Sequence, residues 1–143
     1  MVVAELVLHT LRAINPTRKV VHVRDGVEAL ECLQSRQNFP DCPAGHPAVV
    51  LLDLKMPRLD GFEVLRHMRA DENLKGVPVV VLTSSQDEGD IRESYQLGAN
   101  AYIVKPVEFR KFAFVLEQVE NFWLVINHPP PLVRVAATAG ESR

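Results

Sequence analysis

Short apolar runs alternate with amphipathic stretches along this chain. Four runs have the length and composition of strands, at residues 19–24, 48–52, 77–82 and 101–104. Apolar residues recur at the three- and four-residue intervals typical of helices over residues 5–14, 27–36, 61–70 and 107–126. Because unbroken apolar strands are typical of sheets covered on both faces, the pattern predicts an α/β fold: a doubly wound parallel sheet with helices on both faces.

Local signals set several element boundaries. The dipeptide Asn15-Pro16 ends the first predicted helix. Ser85-Gln-Asp-Glu88 matches a capping box, which predicts that Ser85 is the N-cap of a helix that Gly98 closes. The run His128-Pro-Pro-Pro131 ends the final helix. We therefore expect one domain over residues 1–126 and a flexible, proline-containing tail over residues 127–143.

Composition narrows the classes of function. The chain has 143 residues, of which 47% are hydrophobic and 24% charged, as in one ordinary globular domain. A net charge of -2 gives no electrostatic reason to expect nucleic acid binding. The apolar runs are far shorter than the ~20 residues that span a bilayer. The first residues lack the features of a signal peptide, so we expect a cytoplasmic location without membrane contact.

The two cysteines are too few for a disulfide framework. Cys32 falls on a helical pattern and is predicted to be a small core residue. Cys42 lies in a loop with His46, where a structural metal site would need more ligands at regular spacing.

Chemically distinct side chains follow three of the predicted strands. In parallel sheets ligands bind outside the carboxyl ends of the strands, which here deliver Asp53, then Thr83 with Ser84, then Lys105. A carboxylate can attack phosphorus and form an acyl phosphate. The Lys105 ammonium, the Thr83 hydroxyl and the Ser84 backbone N–H would stabilise the added negative charge. A divalent metal is usually needed as well, because two anions must meet.

The segments around these residues resemble the receiver domains of two-component response regulators. Val49-Val-Leu-Leu-Asp53-Leu-Lys-Met-Pro57-Arg-Leu-Asp60-Gly61 is similar to their phosphoacceptor segment. Val79-Val-Val-Leu-Thr83-Ser is similar to their hydroxyl-bearing strand, and Gly98-Ala-Asn-Ala-Tyr-Ile-Val-Lys105-Pro106 to their lysine–proline segment. The resemblance covers roughly residues 3 to 126.

This resemblance implies a CheY-like, flavodoxin-like fold and a phosphorylation-controlled switch in a phosphorelay, not a dedicated enzyme. A histidine kinase would transfer a phosphoryl group to Asp53. Thr83 and Lys105 would contact that group, and Tyr102 would be the aromatic side chain that reorients on activation. The Lys105-Pro106 peptide bond would be cis, an isomer that proline tolerates.

The beginning of the chain departs from the family pattern. Receivers open with a strand that ends in a pair of acidic residues, whereas here Met1 falls where the first helix would begin. We therefore expect the usual first strand and its acidic pair to be missing, because Glu5 and Asp25 are not at equivalent positions. The family's Mg²⁺ site would then keep only Asp53 and the backbone carbonyl of Lys55, which predicts weak metal binding.

Other interpretations of the same residues remain open. Asp53 could be only a strand-end cap, Asp60 is predicted to be a helix N-cap, and Pro57 and Gly61 are expected to shape a loop. The chain could be a pseudo-receiver, an interaction module that is no longer phosphorylated. A phosphohydrolase of the haloacid dehalogenase type would need an acid at position 55, which is Lys55. A dinucleotide site is disfavoured because no Gly-x-Gly-x-x-Gly follows a strand.

The final predicted helix, residues 108–126, suggests two partners. Phe122-Trp-Leu124 and the proline-rich end are similar to single-domain regulators that work with phytochrome-type histidine kinases. One stripe on this helix is predicted to face the sheet: Phe109, Phe112, Leu116, Val119 and Trp123. A second set widens the apolar surface: Val115, Phe122 and Ile126. We expect a homodimer through this helix, with a folded-back tail as the alternative.

Overall fold

The computed structural model describes residues 2–3, 21–34, 47–56 and 58–128. Its strands are β1 (Val2–Val3), β2 (Val21–His22), β3 (Val50–Leu52), β4 (Val79–Thr83) and β5 (Ala101–Val104). Its α-helices are α1 (Gly26–Gln34), α2 (Gly61–Ala70), α3 (Glu88–Gln96) and α4 (Phe109–Glu120), and a π-helix (Asn121–Ile126) follows α4 directly. The predicted helix at 5–14, Cys42, His46, Pro57 and the tail beyond His128 lie outside the described residues.

The five strands form one parallel sheet in the order β2-β1-β3-β4-β5. β1 lies inside this sheet, since Val2 is paired with Val21 of β2 on one side and with Val50 of β3 on the other. The expectation that the first strand is missing was therefore wrong. Two valines carry no periodicity of their own, and they can be recognised as a strand only through the partners that flank them.

Both faces of the sheet are covered, as the unbroken apolar strands predicted. On one face, α1 and α2 pack against alternate strand residues, among them Val50, Leu52 and Val79. On the other face, α4 packs against the intervening residues Val49, Leu51, Val80 and Leu82. This alternation follows from the two-residue period of a strand, and the arrangement is the predicted doubly wound α/β fold.

Two of the residues predicted to bound helices, Asp60 and Gly98, are confirmed. Asp60 is the N-cap of α2 and accepts a hydrogen bond from a backbone N–H of the first turn. Gly98, with φ of 103°, follows α3 in the left-handed conformation that ends helices. Ser85, however, is not the N-cap of α3. Asp87 takes that role and accepts hydrogen bonds from two N–H groups of the first turn, including that of Asp90.

One smaller expectation is wrong, and another is confirmed with an addition. No peptide bond within the described residues is cis, so the Lys105-Pro106 bond is trans, the isomer that is favoured by about 0.5–1 kcal/mol before proline. Cys32 is buried in the core as predicted, with 3% of its surface exposed, but it is also disulfide-bonded.

Most of the stripe predicted on the final helix faces the sheet. Phe112, Leu116 and Val119 are buried, and Trp123 packs against the same core. Phe109 is 63% exposed, which contradicts its predicted place in this stripe. It is the first residue of α4 and precedes the first buried position of the helix by one turn.

The last turns of the predicted helix are wound as a π-helix. The N–H of Asn127 donates to the carbonyl of Phe122, five residues back, over 2.6 Å. This winding leaves both Trp123 and Leu124 against the core, while Phe122, Val125 and Ile126 are 46%, 63% and 55% exposed. Of the helices that are described, none combines the length and the apolar character needed to cross a membrane.

Candidate functional site

Asp53 lies immediately after β3 and is held through both carboxylate oxygens. Its Oδ1 accepts a hydrogen bond from the backbone N–H of Lys55 at 3.1 Å. Its Oδ2 is 2.8 Å from the Nζ of Lys105, and 24% of the Asp53 side chain is exposed. A carboxylate that is fixed, paired with a cation and still accessible is placed to react with a ligand from solvent.

Lys105 reaches Asp53 from two strands away. It follows β5, which pairs with β4, and its backbone N–H donates to the carbonyl of Thr83 at 2.7 Å. Because parallel strands bring their carboxyl ends to one edge, the Lys105 side chain can span the end of β4 to the carboxylate that follows β3. The structure thus joins two residues that the sequence predicted at this edge.

Thr83 and Tyr102 are connected to the loop that follows β4. Thr83 is the last residue of β4 and is buried, and its Oγ1 accepts a long hydrogen bond of 3.4 Å from the N–H of Ser85. The half-buried Tyr102 donates its hydroxyl proton to the carbonyl of Ser85 over 3.0 Å. Ser84, between Thr83 and Ser85 in the chain, is exposed. The predicted hydroxyl and aromatic residues are therefore linked through one residue, Ser85.

Helix α2 begins against the backbone of Asp53. The N–H of Gly61 donates to the carbonyl of Leu54 at 2.9 Å, which closes the loop after β3. A Cβ placed on Gly61 would lie 2.4 Å from the carbonyl oxygen of Asp53, so no larger residue fits without displacing this backbone. The loop-shaping role expected for Gly61 thus acts directly on the Asp53 main chain.

An ion pair near this site was not predicted. Arg58 has a φ of 66°, unusual for a residue with a side chain, and its guanidinium bonds both carboxylate oxygens of Asp25 at 2.8–3.0 Å. The pair joins the loop after β3 to the end of β2. Arg58 and Asp25 are 33 residues apart and lie on different loops. No sequence pattern predicts such a pair, so it can be recognised only in the folded structure.

The Asp25 carboxylate is well stabilised in its charged form. The N–H of Glu28 donates to it at 2.9 Å at the start of α1. This hydrogen bond first, and then the Arg58 guanidinium, hold the pKa of Asp25 below its ordinary value, against the opposing effect of burial. Hydrogen bonds from Arg58 and from the Glu28 N–H thus engage both oxygens of Asp25.

The described residues offer few ligands for a divalent cation. No group of three or more acidic, histidine or cysteine side chains in this part of the chain could hold a metal ion. Asp53 is the carboxylate at the carboxyl ends of β3 to β5, and the Lys55 carbonyl is beside it in the chain. One carboxylate and one carbonyl are compatible with Mg²⁺, which commonly keeps several waters.

The parallel sheet, its strand order and the aspartate–lysine pair after β3 and β5 define a class of doubly wound α/β domain with a charged site at the carboxyl edge of its sheet. The chain belongs to the response regulator receiver domain family, whose profile matches residues 2–117. Members of this family act in two-component systems, and the function of this chain is phosphorylation-controlled two-component signalling.

Several relatives are similar to this chain over most of its length. The response regulator Rcp1 of Synechocystis sp. is 35% identical over 121 residues, covering 85% of this chain and 81% of Rcp1. A structure of Mn²⁺-bound Rcp1 superposes with a TM-score of 0.80, covering 91% of this chain and 97% of that one. A phosphorylated cyanobacterial phytochrome response regulator, RcpA, has a TM-score of 0.79 at 36% identity, with 91% and 96% covered.

A bacteriophytochrome response regulator, RtBRR, is 44% identical to this chain. Its TM-score is 0.67, with 91% of this chain and 82% of RtBRR covered. The resemblance noted from the sequence, including its similarity to phytochrome response regulators, is thereby confirmed.

Proposed function

We propose that Asp53 is the residue of this receiver domain that accepts the phosphoryl group. The observation that carries this proposal is the 2.8 Å contact between Asp53 Oδ2 and Lys105 Nζ at the carboxyl edge of the sheet. In the transfer, an oxygen of Asp53 forms a bond to phosphorus while the phosphorus–nitrogen bond of a phosphohistidine breaks. The histidine nitrogen keeps the electron pair and takes a proton, and Asp53 becomes an acyl phosphate.

Three further groups would hold the transferred phosphoryl group. Lys105, already beside Asp53, supplies a positive charge. The Thr83 hydroxyl and the backbone N–H of the exposed Ser84 supply hydrogen-bond donors from the end of β4. Tyr102 would report the phosphorylated state, because its hydroxyl is bonded to the same loop that carries Ser84.

Mg²⁺ is the cofactor that this site would take. Asp53 and the backbone carbonyl of Lys55 would hold it, with water and the phosphoryl oxygens as its other ligands. The ion would offset the repulsion between the carboxylate and the incoming phosphoryl group. The Mn²⁺-bound structure of the related Rcp1 supports this assignment.

The phosphodonor would be a sensor histidine kinase of the phytochrome type. Relatives of this chain include a phytochrome response regulator and a bacteriophytochrome response regulator, and both support this partner. The cytoplasmic location expected from the sequence is part of this proposal.

A second copy of the chain is the other proposed partner. Large apolar side chains at the end of the final helical segment stay in water: Phe122, Val125 and Ile126 are 46–63% exposed. Contiguous apolar side chains of this size are typical of interaction surfaces. Two identical helical surfaces related by a two-fold axis would cover each other.

Phosphorylation of Asp53 can be tested with a small acyl phosphate and Mg²⁺, followed by intact mass and peptide mapping. We expect one added phosphoryl group on the wild type and none on Asp53→Asn. Asp60→Asn is the matched control, since asparagine also caps helices and this aspartate lies outside the proposed site. Labelling that persists in Asp53→Asn would refute the assignment, and an unlabelled wild type would identify the chain as a pseudo-receiver.

A further inference from the structure

Ser85 is bonded through three atoms to three different elements of the signalling site. Its N–H donates to Thr83 Oγ1 at 3.4 Å, and its carbonyl accepts from the Tyr102 hydroxyl at 3.0 Å. Its hydroxyl donates to Asp90 Oδ2 at 2.6 Å. Thr83 ends β4, Tyr102 lies on β5 and Asp90 lies in the first turn of α3, so one residue connects both strands to the helix.

The Ser85 hydroxyl is available for this contact because it does not cap the helix. Asp87 is the N-cap of α3, and its Oδ1 accepts from Gly89 N at 2.6 Å and from Asp90 N at 3.3 Å. A hydroxyl that donates to a carboxylate makes a short and comparatively strong hydrogen bond. The Ser85–Asp90 bond is therefore a strong connection between the loop and the helix.

Asp90 is itself firmly anchored in α3. Its backbone N–H is bonded to Asp87, and its carbonyl accepts from the hydroxyl of Ser94, a fully buried residue, at 2.8 Å. Because main-chain contacts fix Asp90 within the helix, its carboxylate is a fixed point to which Ser85 is tied.

We propose that Ser85 and Asp90 are positioning residues that tie the state of Thr83 to Tyr102 and α3. This inference rests on the proposed function, which gives Thr83 its contact with the phosphoryl group. When Thr83 turns its hydroxyl towards that group, the weak 3.4 Å contact with Ser85 is the first to change. Any movement of Ser85 that follows Thr83 strains its bond to Tyr102 and its bond to Asp90, so these two contacts carry the change to β5 and to α3.

The contact can be tested in the unphosphorylated protein by ¹⁹F NMR after labelling with fluorotyrosine. The chain has two tyrosines, and Tyr95, which is 50% exposed, is an internal reference. In Ser85→Ala and Asp90→Ala the Tyr102 resonance should move towards its solvent-exposed position. Ser85→Thr, which keeps the hydroxyl, should restore it.

Glu88→Ala is the matched control, because it removes an exposed carboxylate from the same turn of α3. It should leave the Tyr102 resonance unchanged, and circular dichroism should confirm that all variants are folded. An unchanged Tyr102 resonance in both Ser85→Ala and Asp90→Ala, or an equal displacement in Glu88→Ala, would overturn the proposal. This readout does not require phosphorylation, so it stands even if Asp53 is not labelled.

A second measurement addresses the transmission step. If the wild type is phosphorylated, its Tyr102 resonance should shift when Asp53 is labelled, as followed by mass spectrometry in the same samples. Asp90→Ala should still be labelled but should lose this shift, and the double variant Ser85→Ala/Asp90→Ala should behave like either single variant. A full shift in Asp90→Ala at equal labelling would refute the transmission, whereas absent labelling would refute only the proposed function.

Discussion

At the scale of single residues, the position of Asp53 depends on the close packing of Gly61 against its main chain. Its carboxylate is fixed by Lys55 and Lys105, while Gly61 leaves no room for a side chain against its carbonyl. Gly61, which has no side chain, thus helps to set the main-chain position of the proposed phosphoacceptor.

Gly61→Ala should therefore impair both stability and phosphorylation. The added Cβ would meet Asp53 O at 2.4 Å and Leu54 Cα at 2.8 Å, and overpacking of this kind costs about 1–3 kcal/mol. We expect a lower denaturation midpoint in urea and slower labelling of Asp53 by an acyl phosphate. Labelling at the wild-type rate would show that the close approach does not position Asp53.

The charge of Asp25 should make stability depend on pH in the acid range. Its pKa is lowered below the ordinary value of 3.8 by the Glu28 N–H and by Arg58, so its contribution is present at neutral pH. That contribution should be lost as the pH falls through the lowered pKa. Asp25→Asn keeps a cap for α1 but loses the charge, so its urea stability should be below that of the wild type at neutral pH.

The two proteins should converge in acid, when Asp25 of the wild type is also protonated. Urea unfolding of both at several pH values measures this difference directly. Arg58→Gln should lower the neutral-pH stability in the same direction, since it removes the partner charge. Parallel stability curves for wild type and Asp25→Asn would contradict a role for this charge.

At the scale of elements, Arg69 connects α2 to the segments that precede β4 and β5. Its guanidinium donates to the carbonyls of Lys75, Val77 and Gly98 and to Asn100 Oδ1, all at 2.8–3.0 Å. Burial lowers the pKa of Arg69. One side chain therefore links α2 to the backbone of two other segments.

Arg69→Met should destabilise the fold by roughly 2 kcal/mol or more, because several partly buried carbonyls lose a charged donor. Arg66→Met on the same helix is the control, since the Arg66 side chain is 49% exposed and its pair with Glu63 should contribute little. Urea denaturation of both variants gives the comparison. Equal midpoints for the two would show that the Arg69 contacts add no more than a surface ion pair.

At the scale of the whole molecule, the exposed apolar residues at the end of the last helical segment suggest that two copies of the chain associate. Residues Trp123 and Leu124 pack on the core of their own chain, whereas Phe122, Val125 and Ile126 project into solvent. The π-helical winding directs the packed and the exposed side chains to opposite sides of the same segment. The exposed apolar surface is thus a consequence of the helix geometry.

Phe122→Glu combined with Ile126→Glu should convert a dimer into a folded monomer, since neither side chain belongs to the buried core. Phe109→Glu, at the exposed beginning of α4, is the control and should leave the dimer intact. Sedimentation velocity over a range of concentrations measures the change. A wild-type chain that sediments as a monomer at every concentration would rule out the proposed interface.

The sequence alone determined the features that depend on neighbours along the chain. The apolar runs predicted β3, β4 and β5, and the strand ends identified Asp53, Thr83 and Lys105 as candidates for one edge. Asp60 and Gly98 were predicted correctly as helix boundaries, because a cap bonds to its own turn. The doubly wound fold followed from the same periodicity.

Only the tertiary structure decided the features whose partners lie far away in sequence. β1 is a strand because β2 and β3 flank it, and Arg58 meets Asp25 because their loops are adjacent. Ser85 looked like a helix cap, yet Asp87 satisfies the helix and the Ser85 hydroxyl bonds to Asp90 instead. Which of several possible partners a side chain bonds to depends on distances and angles in the folded chain. The periodicity of the sequence carries no information about these distances.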